Sequence, residues 1–286
     1  MVSNMGELTG KVALVTGGSK GIGLATAELL AEHGASLVLL ARSKGPLEAA
    51  AHSIIDRHQV NVITKTADIL DLGSIQKYFD FLSKKIDKID ILVNNAGGSE
   101  QRVSKEARRM VSTFDAPGNS ELPASRFADM KDEEFQNAFN QKFFGMLRVT
   151  RSAMPLLRKS DYTSIVNIVS VNGIQSPARV LTSGIAWSAC LNWSKSLSHE
   201  LGPENIRVNV VGVGDIITPN LYGVYERFGN NQSFDEFFKL RTKHLALRRI
   251  GNAKEAAEAI YFFASHRSAY ISGQYLALDG GGVRCL

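Results

Sequence analysis

The chain has 286 residues, 44% of them hydrophobic, and carries a formal net charge of +5. This size allows a large buried core, while no apolar stretch approaches the roughly 20 residues that a membrane-spanning helix needs. The positive charge is mild and unclustered, so neither a nucleic-acid partner nor a membrane partner is expected.

The few cysteines and histidines exclude two further classes of protein. Cys190 and Cys285 are the only cysteines, which suits a reducing cytoplasm and excludes a disulfide framework. The six histidines include no pair at metal-ligand spacing on one helix face. Residues 1–7 are polar and lack the basic-then-apolar pattern of a signal peptide. We therefore expect a cytoplasmic protein without a metal site.

Strand and helix patterns alternate along almost the whole chain. The first apolar run covers residues 12–15, and a helix that stops at Gly34 follows it. Further strand candidates are residues 36–40, 61–66, 89–93, 164–169, 207–211 and 274–278. Helical patterns fall near residues 46–58, 71–86, 132–157, 181–201 and 253–265. This alternation predicts one α/β domain over residues 1–286, in which a parallel sheet carries helices on both faces.

Two segments do not fit this alternation. Residues 98–131 are longer than a crossover needs, and residues 215–246 follow a strand with aromatic side chains. Long excursions at the carboxyl edge of such a sheet are usually lids or substrate loops. We predict an insertion at 98–131 and a substrate-lid loop at 215–246. The aromatics favour an apolar or aromatic small-molecule ligand, unless they only pack the loop against the body: Tyr222, Tyr225, Phe228, Phe234, Phe237 and Phe238.

A glycine-rich segment, residues 16–23, lies between the first strand and the first helix. Glycines there permit a tight turn and let backbone N–H groups at the helix N-terminus approach a pyrophosphate. The segment therefore predicts a dinucleotide-binding loop. Its candidate cofactor contacts are Gly17, Ser19, Lys20, Gly21, Ile22 and Gly23.

The spacing of this loop resembles that of the short-chain dehydrogenase/reductase family. Asp68 resembles the family's adenine contact after the third strand, and residues 94–97 (Asn-Asn-Ala-Gly) resemble the motif that ends its fourth strand. Later segments resemble the sixth strand, the loop that holds the nicotinamide amide and the C-terminal signature: residues 206–209, 214–218, 249–251, 272–274 and 279–281. The resemblance implies a Rossmann-like, doubly wound fold. It also implies cofactor contacts at Asp68, Ile69, Asn95, Ala96, Gly97, Ile216 and Thr218.

The residue after the second strand predicts which dinucleotide is bound. An acidic side chain there would accept hydrogen bonds from a ribose 2′-hydroxyl and repel a 2′-phosphate. Here the strand is followed by Arg42 and Ser43, and Lys20 in the glycine loop offers a second positive charge. Both cations could instead be ordinary surface residues. The missing acid favours NADP(H) over NAD(H), with Arg42 and Ser43 among the cofactor contacts.

The resemblance further implies a catalytic asparagine, serine, tyrosine and lysine, and three of these four positions have changed. Ser170 supplies the serine at the end of the fifth strand. The tyrosine position, thirteen residues later, is Ser183, and the lysine position, four further on, is Trp187. The asparagine position is Lys142. Asn140, two residues earlier, should point elsewhere on the helix.

These replacements leave the chemistry open. A serine hydroxyl is too weak an acid and too short to replace a phenol, and a lost general acid costs roughly 10²–10⁴-fold in rate. Lys142 could bring a compensating ammonium into the site, as proton donor or electrostatic clamp. It could instead extend to solvent or pair with an acid. We predict Ser170, Lys142 and Ser183 as the catalytic residues.

The leading hypothesis is an NADP(H)-dependent oxidoreductase that acts on a carbonyl or alcohol group of a small molecule. One alternative is a non-redox enzyme, such as an isomerase, dehydratase or cyclase, on the same scaffold. Another is a catalytically silent cofactor-binding subunit. The resemblance also implies a homo-dimer or homo-tetramer that assembles in part through the helices near 132–157 and 181–201.

Overall fold

The computed structural model describes residues 6–97, 126–176, 180–228 and 232–285. The strands are β1 (Val12–Thr16), β2 (Ser36–Ala41), β3 (Val62–Thr66), β4 (Ile91–Asn94), β5 (Thr163–Ser170), β6 (Ile206–Val213), β7 (Ile216–Ile217), β8 (Gly251–Asn252) and β9 (Tyr275–Leu278). Within the described residues, seven of them form a parallel sheet in the order β3-β2-β1-β4-β5-β6-β9. The short strands β7 and β8 pair with each other.

Helices alternate with these strands. They are α1 (Gly21–Glu32), α2 (Lys44–His58), α3 (Leu72–Leu82), α4 (Asp132–Phe139), α5 (Gly145–Leu157), α6 (Leu181–Leu201), α7 (Pro219–Phe228), α8 (Phe234–Arg241) and α9 (Ala253–Ala264). A π-helical turn, Asn140–Phe144, joins α4 to α5. Within the described ranges, no helix combines the length and the apolarity needed to cross a bilayer.

The core lies on both faces of the sheet, because successive residues of its buried strands point to opposite sides. In β1, Ala13 and Val15 join one cluster, with α1, α2 and α9, while Leu14 joins a second cluster, with α3 and α5. All three residues have no exposed surface. Strands that are apolar on both faces are typical of a parallel sheet between two helical layers. The predicted doubly wound α/β fold is confirmed.

Helix α9 completes the first cluster by packing on α1. Its Ile260, Tyr261 and Phe263 are members of that cluster. The Tyr261 hydroxyl also donates a hydrogen bond to the Glu7 carboxylate at 2.5 Å, and Arg267 forms an ion pair with the same carboxylate. The last helix is therefore attached to the start of the described chain.

The predicted elements are present, with small shifts at their ends. The main difference is at α3, which the sequence pattern extends to residue 86 but which ends at Leu82. The N–H groups of Lys84 and Lys85 donate to carbonyls only three residues earlier, so the chain tightens into turns there. Of the predicted 98–131 insertion, only residues 126–131 are described, and the insertion stays a prediction.

Residues 215–246 are not a loop, and the prediction was wrong on this point. The segment contains β7 and the two helices α7 and α8. Pro219 begins α7, where its missing N–H and fixed φ are tolerated. Ser233 and Glu236 form a capping box that starts α8.

The aromatic rings of this segment pack against one another. The Tyr222 and Phe234 rings stack with centroids 4.9 Å apart, and Tyr225 and Phe237 meet edge-on at 5.7 Å. Phe238 is 5% exposed beneath them. The side chain of Phe228 lies outside the described residues. The rings therefore hold α7 and α8 together, which is the packing alternative left open by the sequence.

Candidate functional site

The carboxyl ends of β1, β4, β5 and β6 lie at one edge of the sheet. The strand order reverses between β1 and β4, since β2 and β3 lie on one side of β1 and the later strands on the other. Open parallel sheets bind ligands at the carboxyl edge beside such a reversal. The loops that carry the predicted site residues all begin at this edge.

The glycine loop has a backbone that other residues would not adopt. Gly17 and Gly21 have φ angles of +70° and +58°, in the left-handed region. A Cβ atom on Gly17 would lie 2.7 Å from the Asn95 amide nitrogen, and one on Gly23 would overlap the Gly17 carbonyl oxygen. No described side chain caps the start of α1, which has no acid in its first turn. The loop thus forms a cradle in which backbone N–H groups at the start of α1 can donate hydrogen bonds to an anion. Its shape fits a pyrophosphate.

Asn95 fixes this loop from the neighbouring strand. Its side-chain amide donates hydrogen bonds to the carbonyls of Thr16 and Gly17, at 3.0 and 3.4 Å. The Thr16 hydroxyl accepts hydrogen bonds from the backbone N–H groups of Asn95 and Ala96, both at 2.9 Å. Thr16 was missed by sequence reasoning. The signal for it was a hydroxyl residue at the last position of a buried strand, directly before the first glycine.

The loop after β6 reaches the glycine loop from the other side. A Cβ atom on Gly21 would lie 3.3 Å from the Thr218 methyl group, so the two loops are in contact. Ile216 is 6% exposed and packs its side chain toward Gly251. The carboxylate of Asp215 forms a two-pronged ion pair with Arg241 of α8, with N–O distances of 3.0 to 3.2 Å. This ion pair attaches the α7–α8 segment to the sheet edge.

Arg42 borders an open pocket at the end of β2 and β3. The pocket has a volume of about 300 Å³ and is lined by Arg42, Thr66, Ala67, Asp68 and Ser74. The Gly17 N–H donates to the Leu40 carbonyl at 2.7 Å, which joins the glycine loop to the strand that ends beside Arg42. Thr66 and Ser74 were not predicted; both offer hydroxyl groups to a ligand in this pocket.

The other predicted residues of this region differ in exposure. Arg42, Lys20 and Ser43 are exposed, with Lys20 directly before α1 and Ser43 directly before α2. Ile69 is 7% exposed and packs against Gly145 at the start of α5. Convergence of Lys20 and Arg42 on one phosphate stays a prediction.

A chain of buried polar side chains connects the strands beneath this edge. The Asn94 side-chain amide donates to the Thr150 hydroxyl and to the Asn167 side-chain oxygen (Oδ1), both at 2.9 Å. The Asn167 amide in turn donates to the Ser194 hydroxyl at 2.8 Å. All four side chains are at most 2% exposed. This network links β4, α5, β5 and α6, although the Asn94 Oδ1 atom is buried without a hydrogen-bond partner among the described residues.

Ser170 and Ser183 lie where β5 leads into α6. Ser170 ends β5, and its hydroxyl accepts a hydrogen bond from the Asn172 N–H at 3.2 Å. Ser183 lies in the first turn of α6, and both serines are half-buried. A Cβ atom on Gly184 would overlap the Ser176 hydroxyl, so the start of α6 packs directly on the segment after β5.

Lys142 is buried beside Trp187. It lies in the π-helical turn and is 6% exposed, while Trp187 is 8% exposed. The Lys142 ammonium nitrogen lies 5.7 Å from the centroid of the Trp187 ring. Asn140, by contrast, accepts a hydrogen bond from Arg148 at 2.8 Å. Lys142 therefore does not extend to solvent, although lysine at a helix surface usually does.

Gly97 and Cys190 complete this cluster. A Cβ atom on Gly97 would lie 3.8 Å from both the Lys142 Cα and the edge of the Trp187 ring, so the end of β4 meets both residues. Burial raises the pKa of the Cys190 thiol to about 12, and the Lys142 charge partly opposes this rise. The structure thus brings together Lys142 and Trp187, which the sequence predicts at the family's asparagine and lysine positions.

Comparison with known proteins gives matches over almost the full chain. A model of the enoyl-(acyl carrier protein) reductase family matches residues 17–282. The 3-oxoacyl-(acyl-carrier-protein) reductase FabG of Chlamydia muridarum is 28% identical over 274 residues, which cover 96% of this chain and 98% of that protein.

Two solved structures are similar in fold and sequence. One is the NADPH-bound short chain oxidoreductase from Pseudomonas aeruginosa PAO1 with an atypical catalytic center: TM-score 0.83, 30% identity, 98% of this chain and 99% of that chain covered. The other is L-sorbose reductase from Gluconobacter frateurii in complex with NADPH and L-sorbose: TM-score 0.84, 26% identity, 99% of this chain and 100% of that chain covered.

Proposed function

Because this chain belongs to the short-chain dehydrogenase/reductase family, we propose that it is an NADP(H)-dependent oxidoreductase acting on a carbonyl or alcohol group of a small molecule. The observation that carries the proposal is the cradle formed by Gly17, Gly21 and Gly23 at the uncapped start of α1. Similar proteins from Pseudomonas aeruginosa and Gluconobacter frateurii bind NADPH, which supports the choice of cofactor.

The proposed cofactor site follows the carboxyl edge of the sheet. The pyrophosphate would be held by the glycine loop, with Gly17, Ser19, Lys20, Gly21, Ile22 and Gly23. Arg42 and Ser43 would hold the 2′-phosphate, and Asp68 and Ile69 the adenine. The nicotinamide half would be held by Asn95, Ala96, Gly97, Ile216 and Thr218. When bound, NADP(H) supplies a hydride to the substrate carbon or accepts one from it.

Three side chains would interact with the substrate oxygen: Ser170, Ser183 and Lys142. The two serine hydroxyls can donate hydrogen bonds that polarise a carbonyl and orient it. Neither is acidic enough to replace a phenol. The Lys142 ammonium can stabilise negative charge as it develops on the oxygen and can give it a proton. We therefore assign to Lys142 the positive charge that the family's lysine otherwise supplies.

The substrate side of the site is proposed to include the α7–α8 segment. Tyr222 of α7 stacks on Phe234 but remains 48% exposed, and Ile217 of the adjacent β7 is 39% exposed. Both lie close in sequence to Thr218, which contacts the glycine loop. These two side chains would give an apolar or aromatic substrate a surface to pack against.

A homo-dimer or homo-tetramer is proposed to form through the helices of residues 132–157 and 181–201. Phe144 and Ile185 are each 42% exposed on this part of the molecule. Burial of such large apolar side chains favours association. Light scattering of the wild type and of a Phe144→Glu, Ile185→Glu variant tests this point, because introduced charges should dissociate the assembly.

Calorimetric titration and a carbonyl panel test the proposed function. We expect NADPH to bind more tightly than NADH, and at least one carbonyl compound to be reduced with consumption of NADPH. Lys142→Met should weaken NADPH binding about tenfold or abolish turnover, because an ammonium at a buried site contributes at least on this scale. Lys159→Met, at an exposed lysine beyond the far end of α5, is the matched control.

Four other outcomes separate the alternatives. A product of unchanged mass, formed without NADPH consumption, would favour an isomerase or cyclase. A product that has lost one water, also without NADPH consumption, would favour a dehydratase. Binding without any conversion would favour a silent subunit. Absence of NADPH binding would overturn the proposal.

A further inference from the structure

We propose that Trp187 is a positioning residue that holds the Lys142 ammonium in the site through a cation–π contact. The inference rests on the proposed function, and it adds a role for the residue that stands at the family's lysine position. Two changed positions would then act as one unit: Lys142 provides the charge and Trp187 fixes where that charge lies.

The first support is the burial of both partners. Lys142 and Trp187 are 6% and 8% exposed, and the ammonium nitrogen lies 5.7 Å from the ring centroid. A cation within about 6 Å of an indole face is attracted by the ring quadrupole, and the attraction grows when water is excluded. Burial of an ammonium is unfavourable unless contacts offset it, and the indole supplies one such contact. The indole therefore favours the buried position of the charge over an extended, solvated one.

The second support is that the indole is fixed at both ends. A Cβ atom on Gly173 would lie 3.0 Å from the Trp187 carbonyl carbon and 3.1 Å from the Trp187 Cβ. The backbone after β5 therefore packs directly against the base of this side chain. At the far edge of the ring, a Cβ on Gly97 would lie 3.8 Å away. Trp187 also belongs to a buried cluster with Met146, Val169, Cys190 and Val210. A ring held in this way offers Lys142 one defined position.

The third support is the π-helical turn that carries Lys142. The N–H of Gly145 donates to the carbonyl of Asn140, five residues earlier, instead of four. Such single turns change the direction of side chains within a helix and are frequent at functional sites. The next residue, Phe143, packs edge-on against Trp193 at 5.9 Å. The turn and α6 are therefore joined at two successive residues, one through Lys142 and one through Phe143.

The decisive experiment measures NADPH affinity in a double-mutant cycle. We expect Trp187→Leu to weaken binding by the same factor as Lys142→Met, about tenfold. The double variant should lose no more than either single variant, because one unit is removed in each case. Trp187→Phe should lie between wild type and Trp187→Leu, since a phenyl ring keeps a weaker cation–π contact. Lys142→Arg should restore binding to within a few-fold of wild type, because a guanidinium also stacks on indole.

A spectroscopic measurement tests the contact without turnover or NADPH. The chain has two tryptophans, so Trp193→Phe leaves Trp187 as the only indole. In that background Lys142→Met should change the emission of Trp187, while Lys159→Met should not. Thermal unfolding of each variant establishes that it is folded.

The outcomes distinguish the two proposals. If Lys142→Met weakens NADPH binding but Trp187→Leu does not, Lys142 acts alone and the positioning role is overturned, while the proposed function stands. Emission that is indifferent to Lys142 would overturn the positioning role as well. If the wild type binds no NADPH, the proposed function fails, and the emission measurement still decides whether the contact exists.

Discussion

The proposed cofactor half and the proposed catalytic half of the carboxyl edge resemble the family to different degrees. The cofactor half, formed by the loops after β1 to β4, keeps the glycines and their left-handed backbone. The catalytic half consists of the end of β5, the π-helical turn and the first turns of α6. Its predicted catalytic positions 142, 183 and 187 carry Lys, Ser and Trp, where the resemblance to the family implies Asn, Tyr and Lys.

The difference follows from what each half requires. Phosphate binding by a glycine loop depends on backbone N–H groups and on space, which the fold itself provides. Proton transfer depends on a few side chains of suitable acidity, and these can be exchanged while the fold persists. Trp187 illustrates this, because it belongs to a core cluster at the position that we assign to the family's lysine.

The largest effect is expected from restoring the family's side chains in the catalytic half. A Ser183→Tyr, Trp187→Lys, Lys142→Asn variant regains a phenol and its neighbouring ammonium. Reduction of simple ketones should therefore rise by roughly 10²–10⁴-fold over the wild type. The rate of NADPH oxidation measures this change.

The same variant without Lys142→Asn is the control. It should be slower, because the ammonium groups of residues 142 and 187 would then repel each other. The wild type could instead reduce simple ketones as fast as ordinary reductases do. That result would contradict the claim that only the catalytic half has departed from the family's chemistry.

The next effect concerns the cradle of the cofactor half. Gly23→Val places side-chain atoms against the Gly17 carbonyl, and overpacking costs about 1–3 kcal/mol. NADPH affinity should fall by up to about 100-fold, since this distortion lies where the cofactor binds. Calorimetry measures the affinity. Gly45→Val is the control, because nothing lies within 4 Å of a Cβ atom at that position. Equal NADPH affinities in the two variants would contradict the proposal that the glycine loop holds the cofactor.

A smaller effect is expected in cofactor choice. Arg42→Asp replaces a cation at the open pocket by a carboxylate, which repels a 2′-phosphate and accepts hydrogen bonds from a 2′-hydroxyl. The ratio of NADPH to NADH affinity should fall by at least about tenfold. Arg158→Asp, beside the amino end of β5, has the same change of charge and should leave the ratio unaltered. If the wild type bound NADH more tightly than NADPH, Arg42 would not be a contact of the 2′-phosphate.

The smallest effect is expected where the α7–α8 segment meets the edge. Arg241→Ala removes the ion pair with Asp215. In this pair the Arg241 side chain is 11% exposed and the Asp215 side chain 18%. Proteolytic cleavage within residues 219–241 should accelerate a few-fold, because local opening becomes easier. Arg248→Ala, at an exposed arginine, is the control. Equal cleavage rates would mean that the aromatic rings alone hold the segment.

The sheet and its cofactor loop could be predicted from sequence because their signals are local. The apolar runs of β1 to β6 and the glycines at 17, 21 and 23 each occupy a few consecutive residues. The helical character of α7 and α8 was missed, although the capping pair Ser233 and Glu236 and the spacing of the aromatic rings indicate it.

The contacts of the catalytic half could not be read from sequence. Lys142 and Trp187 are far apart in the chain, and their approach depends on the register of a π-helical turn against α6. The buried network from Asn94 to Ser194 likewise joins four elements through single hydrogen bonds. Sequence spacing can identify a position that differs from the family's pattern. Only the packed structure shows which distant residue contacts that position.

The attachment of α9 to α1 also governs how the chain reaches this structure during synthesis. Residues of α1 leave the ribosome long before residues 253–264, yet Ala27, Leu30 and Ala31 share one core cluster with Ile260. Contacts between such distant segments slow folding and leave apolar surface uncovered in the meantime. A nascent chain that ends before α9 therefore exposes a face of α1 that chaperones can bind. Packing of α9 then covers this face of α1.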